Sequence, residues 1–220
     1  MTVEISGTLE VYARGDASGD APGDASGDAL GGGYADPPRD AARAFRAILD
    51  AMARPGVVTR TTGAAPPAPF GAAMGAAALT LADPDAPVWL AEDWAGAELR
   101  GWIGFHCGAP ILADPGAAMF AFGPAGALAP ADRFALGTPE NPHLSATLIC
   151  GVSGFEGPGL RLSGPGVDGA AHLPLSDGDR AAVLALLAPQ RGLFPLGRDL
   201  ILCADDRIAA IPRSTRVEEG

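Results

Sequence analysis

The side chains that could carry out chemistry in this sequence are few and scattered. All fifteen basic residues are arginine, so the 220-residue chain contains no lysine. A Schiff base with pyridoxal phosphate or with a carbonyl substrate needs a lysine amine, and a phosphate-binding loop of the GxxxxGK[ST] type also needs a lysine. These mechanisms are therefore excluded for the chain acting alone.

Histidine and cysteine, which are common metal ligands, are also few. The three histidines are His106, His143 and His172, and no two of them form a His-x3-His or His-Glu-x-x-His pair. Three cysteines are an odd number without short spacing, so they form neither a disulfide framework nor a zinc pattern. We predict no metal site and no cofactor for this chain, and we expect three buried thiols.

Polar side chains at the ends of predicted elements give one hypothesis for a ligand-binding cleft. His106 is placed at the end of a presumed strand, where either a backbone contact or a ligand contact would explain it. Arg54 ends a predicted helix and Arg213 follows a predicted strand. Guanidinium groups bind phosphate and phosphonate well, although ordinary surface pairing is the alternative. With Asp83 and Asp85, these residues form the candidate ligand-binding set, and no catalytic residue is assigned.

One segment fits a nucleotide-binding pattern. Residues 164–169 match G-x-G-x-x-G and follow a predicted strand. Dinucleotide binding requires a helix to begin there, so that its amides face the pyrophosphate. Pro165 removes one of those amides, and Pro174 interrupts the next segment. We therefore predict a turn here rather than a dinucleotide site.

Length and composition restrict the class of protein. With 48% hydrophobic residues, the chain can build a full core. A net charge of −11 argues against a nucleic-acid partner, because neutralising phosphates needs a basic face. No apolar stretch approaches the roughly 20 residues of a membrane helix, and the N-terminus does not resemble a secretory signal. We expect a cytoplasmic protein that binds neither nucleic acid nor membrane.

Residues 1–36 differ in composition from the rest of the chain. From Gly15 to Leu30 the sequence reads as four tandem Gly-Asp-Ala-x units. Small residues with repeated aspartate cannot bury enough apolar area to offset chain entropy. We predict a flexible acidic extension over residues 1–36 and one domain over residues 37–220. Calcium-binding β-roll repeats have a nine-residue period, so the four-residue period here disfavours calcium binding.

Hydrophobic periodicity predicts interleaved helices and strands after residue 36. In the first predicted helix, one apolar stripe is expected to contain Ala41, Ala42, Phe45, Ile48, Leu49 and Met52. The predicted helices cover residues 37–53, 72–81, 95–100 and 177–187. The predicted strands cover residues 87–90, 102–107, 117–122, 145–152, 160–162, 199–204 and 207–211. This order favours an α/β fold, a single layered domain with a mixed β-sheet flanked by helices.

Six local motifs, in one order along the chain, resemble those of the bacterial phosphonate-metabolism H protein family (PhnH), the H subunit of carbon–phosphorus lyase. The first three read FRAILDAMARPG at 45–56, LTLADPDAPVWL at 79–90 and FHCGAP at 105–110. The next two are GT at 137–138 with SATLI at 145–149, and LSGPG at 162–166. The tail, with FPLGRDLIL at 194–202 and AIPRST at 210–215, is the closest match.

The resemblance implies a homodimeric, layered α/β subunit whose fold is akin to that of pyridoxal-phosphate-dependent transferases but lacks the cofactor. The absence of lysine agrees with this independently. It also implies assembly with the G, I and J proteins and, with G, I and L, support for transfer of an alkylphosphonate to ribose C1 of ATP with release of adenine. In the family the I subunit is thought to carry that chemistry.

The chain is therefore expected to be a non-catalytic or co-catalytic subunit of this transferase complex, without activity alone, that helps shape a phosphonate or nucleotide site. The alternative is an independent small enzyme that binds a phosphorylated ligand through an Arg/His cleft. In it, His106 and Asp83 or Asp85 would act as acid and base, and Arg213 would hold an anion. The Gly-Asp-Ala extension departs from the family pattern.

Overall fold

The computed structural model describes residues 30–219, which contain five α-helices interspersed with nine β-strands. The helices are α1 (Pro37–Ala53), α2 (Ala72–Leu81), α3 (Ala97–Cys107), α4 (Ala125–Leu128) and α5 (Asp177–Leu187). The strands are β1 (Thr59–Arg60), β2 (Val88–Leu90), β3 (Phe120–Pro124), β4 (Thr147–Gly151), β5 (Leu160–Ser163), β6 (Ala171–Leu173), β7 (Asp199–Ala204), β8 (Arg207–Ile211) and β9 (Arg216–Glu219). The part of the predicted extension before residue 30 lies outside the described residues.

Two sheets organise the described residues. The main sheet has six strands in the order β1-β8-β7-β4-β3-β2. Strands β2, β3, β4 and β7 run parallel, and β8 pairs antiparallel with both of its neighbours, β7 and β1. The small sheet is antiparallel, with the order β6-β5-β9. These observations confirm an α/β fold with a mixed sheet and helices. No helix within residues 30–219 is long and apolar enough to cross a membrane.

The parallel strands are apolar on both faces because helices cover the main sheet from two sides. On one face, Ile149 of β4 and Ile201 of β7 pack in a cluster that includes Trp102 of α3. On the other face, Leu148 and Leu202 belong to a second cluster that also holds residues of α4, α5 and the small sheet. The core therefore consists of two layers separated by one sheet.

Three predicted helices are confirmed because their signals are local. α1 ends at Arg54 before proline, as predicted. α2 covers residues 72–81, as predicted, and four of its five alanines are buried against neighbouring elements. α5 covers residues 177–187, as predicted, and the Ser176 side chain caps it by accepting a hydrogen bond from the Asp179 amide at 3.2 Å. The strands predicted at residues 199–204 and 207–211 are confirmed as β7 and β8, and Asp205 in the turn between them adopts a positive φ of 50°.

Two expectations about helices are wrong. The predicted strand at residues 102–107 is the second half of α3, whose buried residues are Leu99, Trp102, Ile103 and Cys107. These positions recur at helical spacing, and this period prevails over the β propensity of Trp, Ile and Phe. His106 therefore lies on a helix, not at a strand end. In α1 the buried face consists of Ala44, Ile48 and Ala51, so the single predicted stripe is divided. Phe45 and Leu49 are about half exposed.

Short strands account for the remaining differences. β3 begins at Phe120, after a one-turn helix at residues 115–117, rather than at residue 117. β1, β6 and β9 were not predicted, because each has two to four residues and depends on pairing with a distant strand. Arg161 of β5, for example, pairs with Glu218 of β9.

Residues 30–36, the end of the predicted extension, pack against the body of the domain. The Tyr34 hydroxyl donates a hydrogen bond to the Ala76 carbonyl at 3.0 Å and lies 2.9 Å from Thr80 Oγ1. The indole of Trp102 donates to the Gly31 carbonyl at 2.9 Å. Contacts with the domain therefore begin ahead of α1.

Candidate functional site

The five residues of the candidate ligand-binding set do not line one cleft; Asp83 and Asp85 share a loop, and the other three lie on different elements. Arg54 forms an ion pair with Asp50 one helical turn earlier, at 3.2 Å. The Asp83 carboxylate accepts a hydrogen bond from the Asp85 amide at 2.8 Å, which shapes the loop before β2. Both aspartates are exposed to solvent.

His106 is covered by the segment that precedes α1. Its Nε2 lies 2.9 Å from the Leu30 carbonyl, and its ring packs against Trp102 with centroids 5.0 Å apart. A Cβ added to Gly33 would lie 2.5 Å from the imidazole Cε1, so only glycine allows this approach. The sequence left two alternatives for His106, a backbone contact or a ligand contact, and the structure shows the backbone contact. Of the five candidate residues, only Arg213 lines either of the two clefts described next.

The first cleft, here called the arginine cleft, lies beside the amino end of β7 and has a volume of about 470 Å³. It lies between the loop that follows α5 and the turn that joins β8 to β9. Its polar and aromatic lining includes Gln190, Arg191, Phe194, Arg213, Ser214, Arg216 and Glu218.

Arg213 is held firmly at the inner side of this cleft. Antiparallel pairing of Leu200 with Ile211 brings the start of β7 next to the end of β8. As a result, Arg213 Nη2 donates to the Asp199 carboxylate at 2.6 Å, and the Arg213 amide donates to the same carboxylate at 2.7 Å. Nη1 donates to the Pro142 carbonyl at 2.6 Å. The side chains of Arg213 and Asp199 are only 17% and 15% exposed, so this pair is well shielded from solvent.

Gln190 connects the floor of the arginine cleft to the chain that enters β7. Its side chain donates to the Arg198 carbonyl at 2.8 Å and accepts from the Arg198 amide at 2.7 Å. The Arg198 guanidinium is itself buried, with its residue 3% exposed, and donates to the Phe134 carbonyl at 3.0 Å. Burial lowers the pKa of Arg198, against an opposing influence of Asp132.

The second cleft, here called the carboxyl-edge cleft, has a volume of about 510 Å³ and lies where β3, β4 and β7 end. This edge is where open α/β sheets usually bind ligands. Phe70 and Trp94 form part of its wall, with ring centroids 5.8 Å apart in an edge-to-face arrangement. Ser153 and Asp179 line it as well, and the serine hydroxyl donates to the aspartate carboxylate. The lining contains carboxylates but no arginine.

All three cysteines are buried free thiols, as predicted. Burial raises the pKa of Cys107 to about 11 and that of Cys203 to about 12, and it raises the pKa of Cys150 well above the ordinary value. The thiolate is the nucleophilic form of cysteine, and these thiols remain protonated at neutral pH. They are core residues rather than nucleophiles.

Sequence reasoning missed most of the arginine cleft. Gln190 and Arg191 line it from the segment after α5, and Arg216 lines it from β9. The sequence did not predict that these two segments lie next to each other. One usable signal was present in the tail, where Arg213-Ser214-Thr215-Arg216 places two arginines three residues apart after a strand. Their approach to Arg191 depends on the pairing of β9 with β5. The turn predicted at residues 164–169 is confirmed, since no helix begins there.

The fold and its clefts define a layered α/β domain with one cationic cleft and one acidic, aromatic cleft. Residues 32–218 match the model of a family described as bacterial phosphonate metabolism protein (PhnH). Over 191 residues the chain is 42% identical to the α-D-ribose 1-methylphosphonate 5-triphosphate synthase subunit PhnH of Rhizobium meliloti (strain 1021). That alignment covers 85% of this chain and 94% of the relative.

A shorter match is found with the putative C-P lyase subunit protein HtxG of Stutzerimonas stutzeri. It is 41% identical over 83 residues, which is 37% of this chain and 42% of that protein. The chain belongs to the PhnH family, and the resemblance drawn from the six motifs is confirmed.

Proposed function

We propose that this chain is a non-catalytic or co-catalytic subunit of the carbon–phosphorus lyase system. In this role it supports transfer of an alkylphosphonate to ribose C1 of ATP with release of adenine. The observation that carries the proposal is the family match over residues 32–218, together with 42% identity to a protein named as a subunit of such a synthase. The name of that relative describes a ribose with methylphosphonate at position 1 and triphosphate at position 5.

The chemistry of the described residues supports a helper role. The candidate acid–base residue His106 contacts the Leu30 carbonyl, and the candidate anion-binding residue Arg213 is paired with Asp199. These two residues belong to different parts of the fold, at the end of α3 and after β8. The alternative of an independent enzyme acting through an Arg/His cleft therefore has less support, because its residues do not line one cleft.

Exposed apolar side chains support docking to other proteins. Large apolar residues are exposed in the segments that lead into the parallel strands, namely Phe105, Met119, Leu144, Leu193 and Phe194. These five residues precede the amino ends of parallel strands along the chain and are here called the amino-edge band. Such patches on a soluble domain typically mark interaction sites. We propose that this band contacts other subunits of the system, among the G, I, J and L proteins, and that the chain itself forms a homodimer. A cytoplasmic location fits its free thiols.

Reconstitution with the G, I and L proteins tests the proposed activity. Adenine release from ATP and methylphosphonate is measured for the complex, for the complex without this chain, and for this chain alone. We expect release only when this chain and its partners are combined. Turnover by the pure chain at the rate of the complex would overturn the helper role. Sedimentation equilibrium of the pure chain should give the mass of two copies.

Co-purification with tagged partner subunits tests the amino-edge band. Leu144→Asp places a charge on the band, and we expect it to abolish co-purification while leaving the melting temperature unchanged. Val57→Asp is the matched control, because Val57 is also an exposed apolar residue but follows α1 instead. Equal co-purification of both variants would show that the band is not the contact surface.

A further inference from the structure

The arginine cleft is cationic in a chain that is strongly acidic. The formal net charge of the whole chain is −11, yet three guanidinium groups, from Arg191, Arg213 and Arg216, line this one cavity. The one carboxylate in the lining, Glu218, is engaged by Arg161 at 2.9 Å. Positive charge is therefore concentrated where the composition alone would not place it.

We propose that the arginine cleft binds a phosphorus oxyanion, the phosphonate or phosphate group of a ligand, between Arg213 on the inner side and Arg191 and Arg216 at the rim. This assignment rests on the proposed function and names the ligand site within it. Guanidinium groups present paired N–H donors that match the oxygens of such a group.

Arg213 can hold such a ligand in spite of its ion pair. A guanidinium has five N–H donors, and Arg213 uses its Nε, one on Nη2 and one on Nη1 for Asp199 and Pro142. Two donors remain, one on each terminal nitrogen. Because Asp199 and Pro142 fix the plane of the guanidinium, these two donors point in fixed directions, and binding costs little side-chain entropy.

Arg191 and Arg216 provide the net positive charge of the cleft, because the charge of Arg213 is compensated by Asp199. Both are exposed, and neither is in an ion pair within residues 30–219. Arg191 lies in the loop after α5, and Arg216 is the first residue of β9. They can therefore approach an anion from two different chain segments, and the Ser214 hydroxyl provides a further donor in the same lining.

The dimensions of the cleft indicate a ligand larger than a bare phosphate. A volume of about 470 Å³ lies within the range of small-molecule sites. The ring of Phe194, with its residue 66% exposed, belongs to the same lining and offers an aromatic face beside the arginines. An alkylphosphonate or a nucleoside triphosphate would each present the required oxyanion. The carboxyl-edge cleft, with Asp179 and Asp205 and no arginine in its lining, would repel it.

Isothermal titration of the full chain tests the site, with ATP, methylphosphonate and inorganic phosphate as separate ligands. We expect saturable binding of ATP or methylphosphonate, and the arm that binds identifies the source of the oxyanion. In the double variant Arg191→Gln/Arg216→Gln, affinity should fall by about tenfold or more for each lost charge-assisted contact. Both side chains are exposed, so the fold should be retained, which a melting curve verifies. Arg39→Gln on α1 is the matched control and should bind like the parent.

Two results would overturn the site. One is the absence of binding of all three ligands at millimolar concentration. The other is binding that the double variant leaves unchanged. Co-purification with partner subunits is measured in parallel, because it reports on the proposed function separately. If the parent chain joins the complex but binds no ligand, the site fails alone; if it binds a ligand but never joins the complex, the subunit role fails and the site stands.

Discussion

Gly166 and Gly169 form a matched pair that tests why residues 164–169 make a turn packed on α1. Both glycines have a left-handed φ, 80° for Gly166 and 67° for Gly169. A Cβ added to Gly166 would lie 3.1 Å from the Ala53 carbonyl carbon, 3.2 Å from Pro55 Cδ, and well inside van der Waals contact with the Ala53 oxygen. A Cβ added to Gly169 would meet nothing within 4 Å. The two sites therefore share the backbone conformation but differ in packing.

The expected loss of stability follows from these two terms. A left-handed conformation costs alanine about 1–2 kcal/mol relative to the right-handed region. Part of this is offset, because alanine also restricts the unfolded chain by about 0.4–1 kcal/mol. Gly169→Ala should therefore lower the free energy of unfolding by about 1 kcal/mol. Gly166→Ala adds overpacking against backbone atoms, typically about 1–3 kcal/mol, so its total loss should be about 2–4 kcal/mol.

Urea denaturation followed by circular dichroism measures both losses. The m-values of the two variants should equal that of the parent, since the fold and its buried area are unchanged. A difference of at least about 1 kcal/mol between the variants is expected. If both lose the same stability within about 0.5 kcal/mol, the turn is not packed against the end of α1, and the reasoning is refuted.

Three further predictions concern the support of the arginine cleft, the buried thiols and the start of the domain. Gln190→Met keeps the side-chain volume but leaves the amide and carbonyl of Arg198 without their partners. Urea denaturation should therefore show a free energy of unfolding lower by about 2–4 kcal/mol. A decrease below about 1 kcal/mol would contradict the hydrogen-bond network. Burial raises the pKa of Cys203 to about 12 from an ordinary value of 9.0, so its contribution to stability is complete below pH 9.0 and is lost as the pH rises towards 12. Between pH 9 and pH 11 the free energy of unfolding of the parent should decrease, and in the Cys203→Ala variant this decrease should be smaller by about 2 kcal/mol. The same decrease in parent and variant would contradict the assignment. Deleting residues 1–29 should leave the melting temperature unchanged. Deleting residues 1–34 removes the hydrogen bonds of Tyr34 and Gly31 as well, and should lower the melting temperature. Equal melting temperatures of the two deletion variants would show that residues 30–34 do not contribute to stability.

The elements that could be predicted from the sequence are those whose signals lie within a few residues. The end of α1 before Pro55 and the serine cap of α5 depend on local steric and hydrogen-bonding rules, and both are observed. The hairpin of β7 and β8 was predictable for the same reason. The alternatives left open for His106 could not be decided locally, because its partner Leu30 lies 76 residues away along the chain.

The second half of α3 shows where local reasoning fails. Trp102, Ile103 and Phe105 have β-sheet propensity, and residues 102–107 taken alone are consistent with a strand. Only the longer period, which includes Leu99, shows that the buried positions share one helical face. The short strands could not be predicted for a different reason: β9, for example, pairs with β5, which lies more than fifty residues earlier in the chain. Because β9 lines the arginine cleft, the sequence could indicate Arg213 as a candidate residue, but not that Arg191 and Arg216 line the same cleft.

The carboxylates near the arginine cleft are both paired with arginines. In the proposed transfer, a phosphonate oxygen bonds to ribose C1 while the bond from C1 to adenine breaks, and the departing adenine nitrogen has to receive a proton. Asp199 is the nearest carboxylate to Arg213, and it accepts hydrogen bonds from both the side chain and the amide of that residue. Glu218 is in an ion pair with Arg161. Each of these carboxylates therefore already accepts hydrogen bonds from a guanidinium group. Under the proposed helper role, the cleft supplies donors for an oxyanion, and we expect the proton for the transfer to come from a partner subunit.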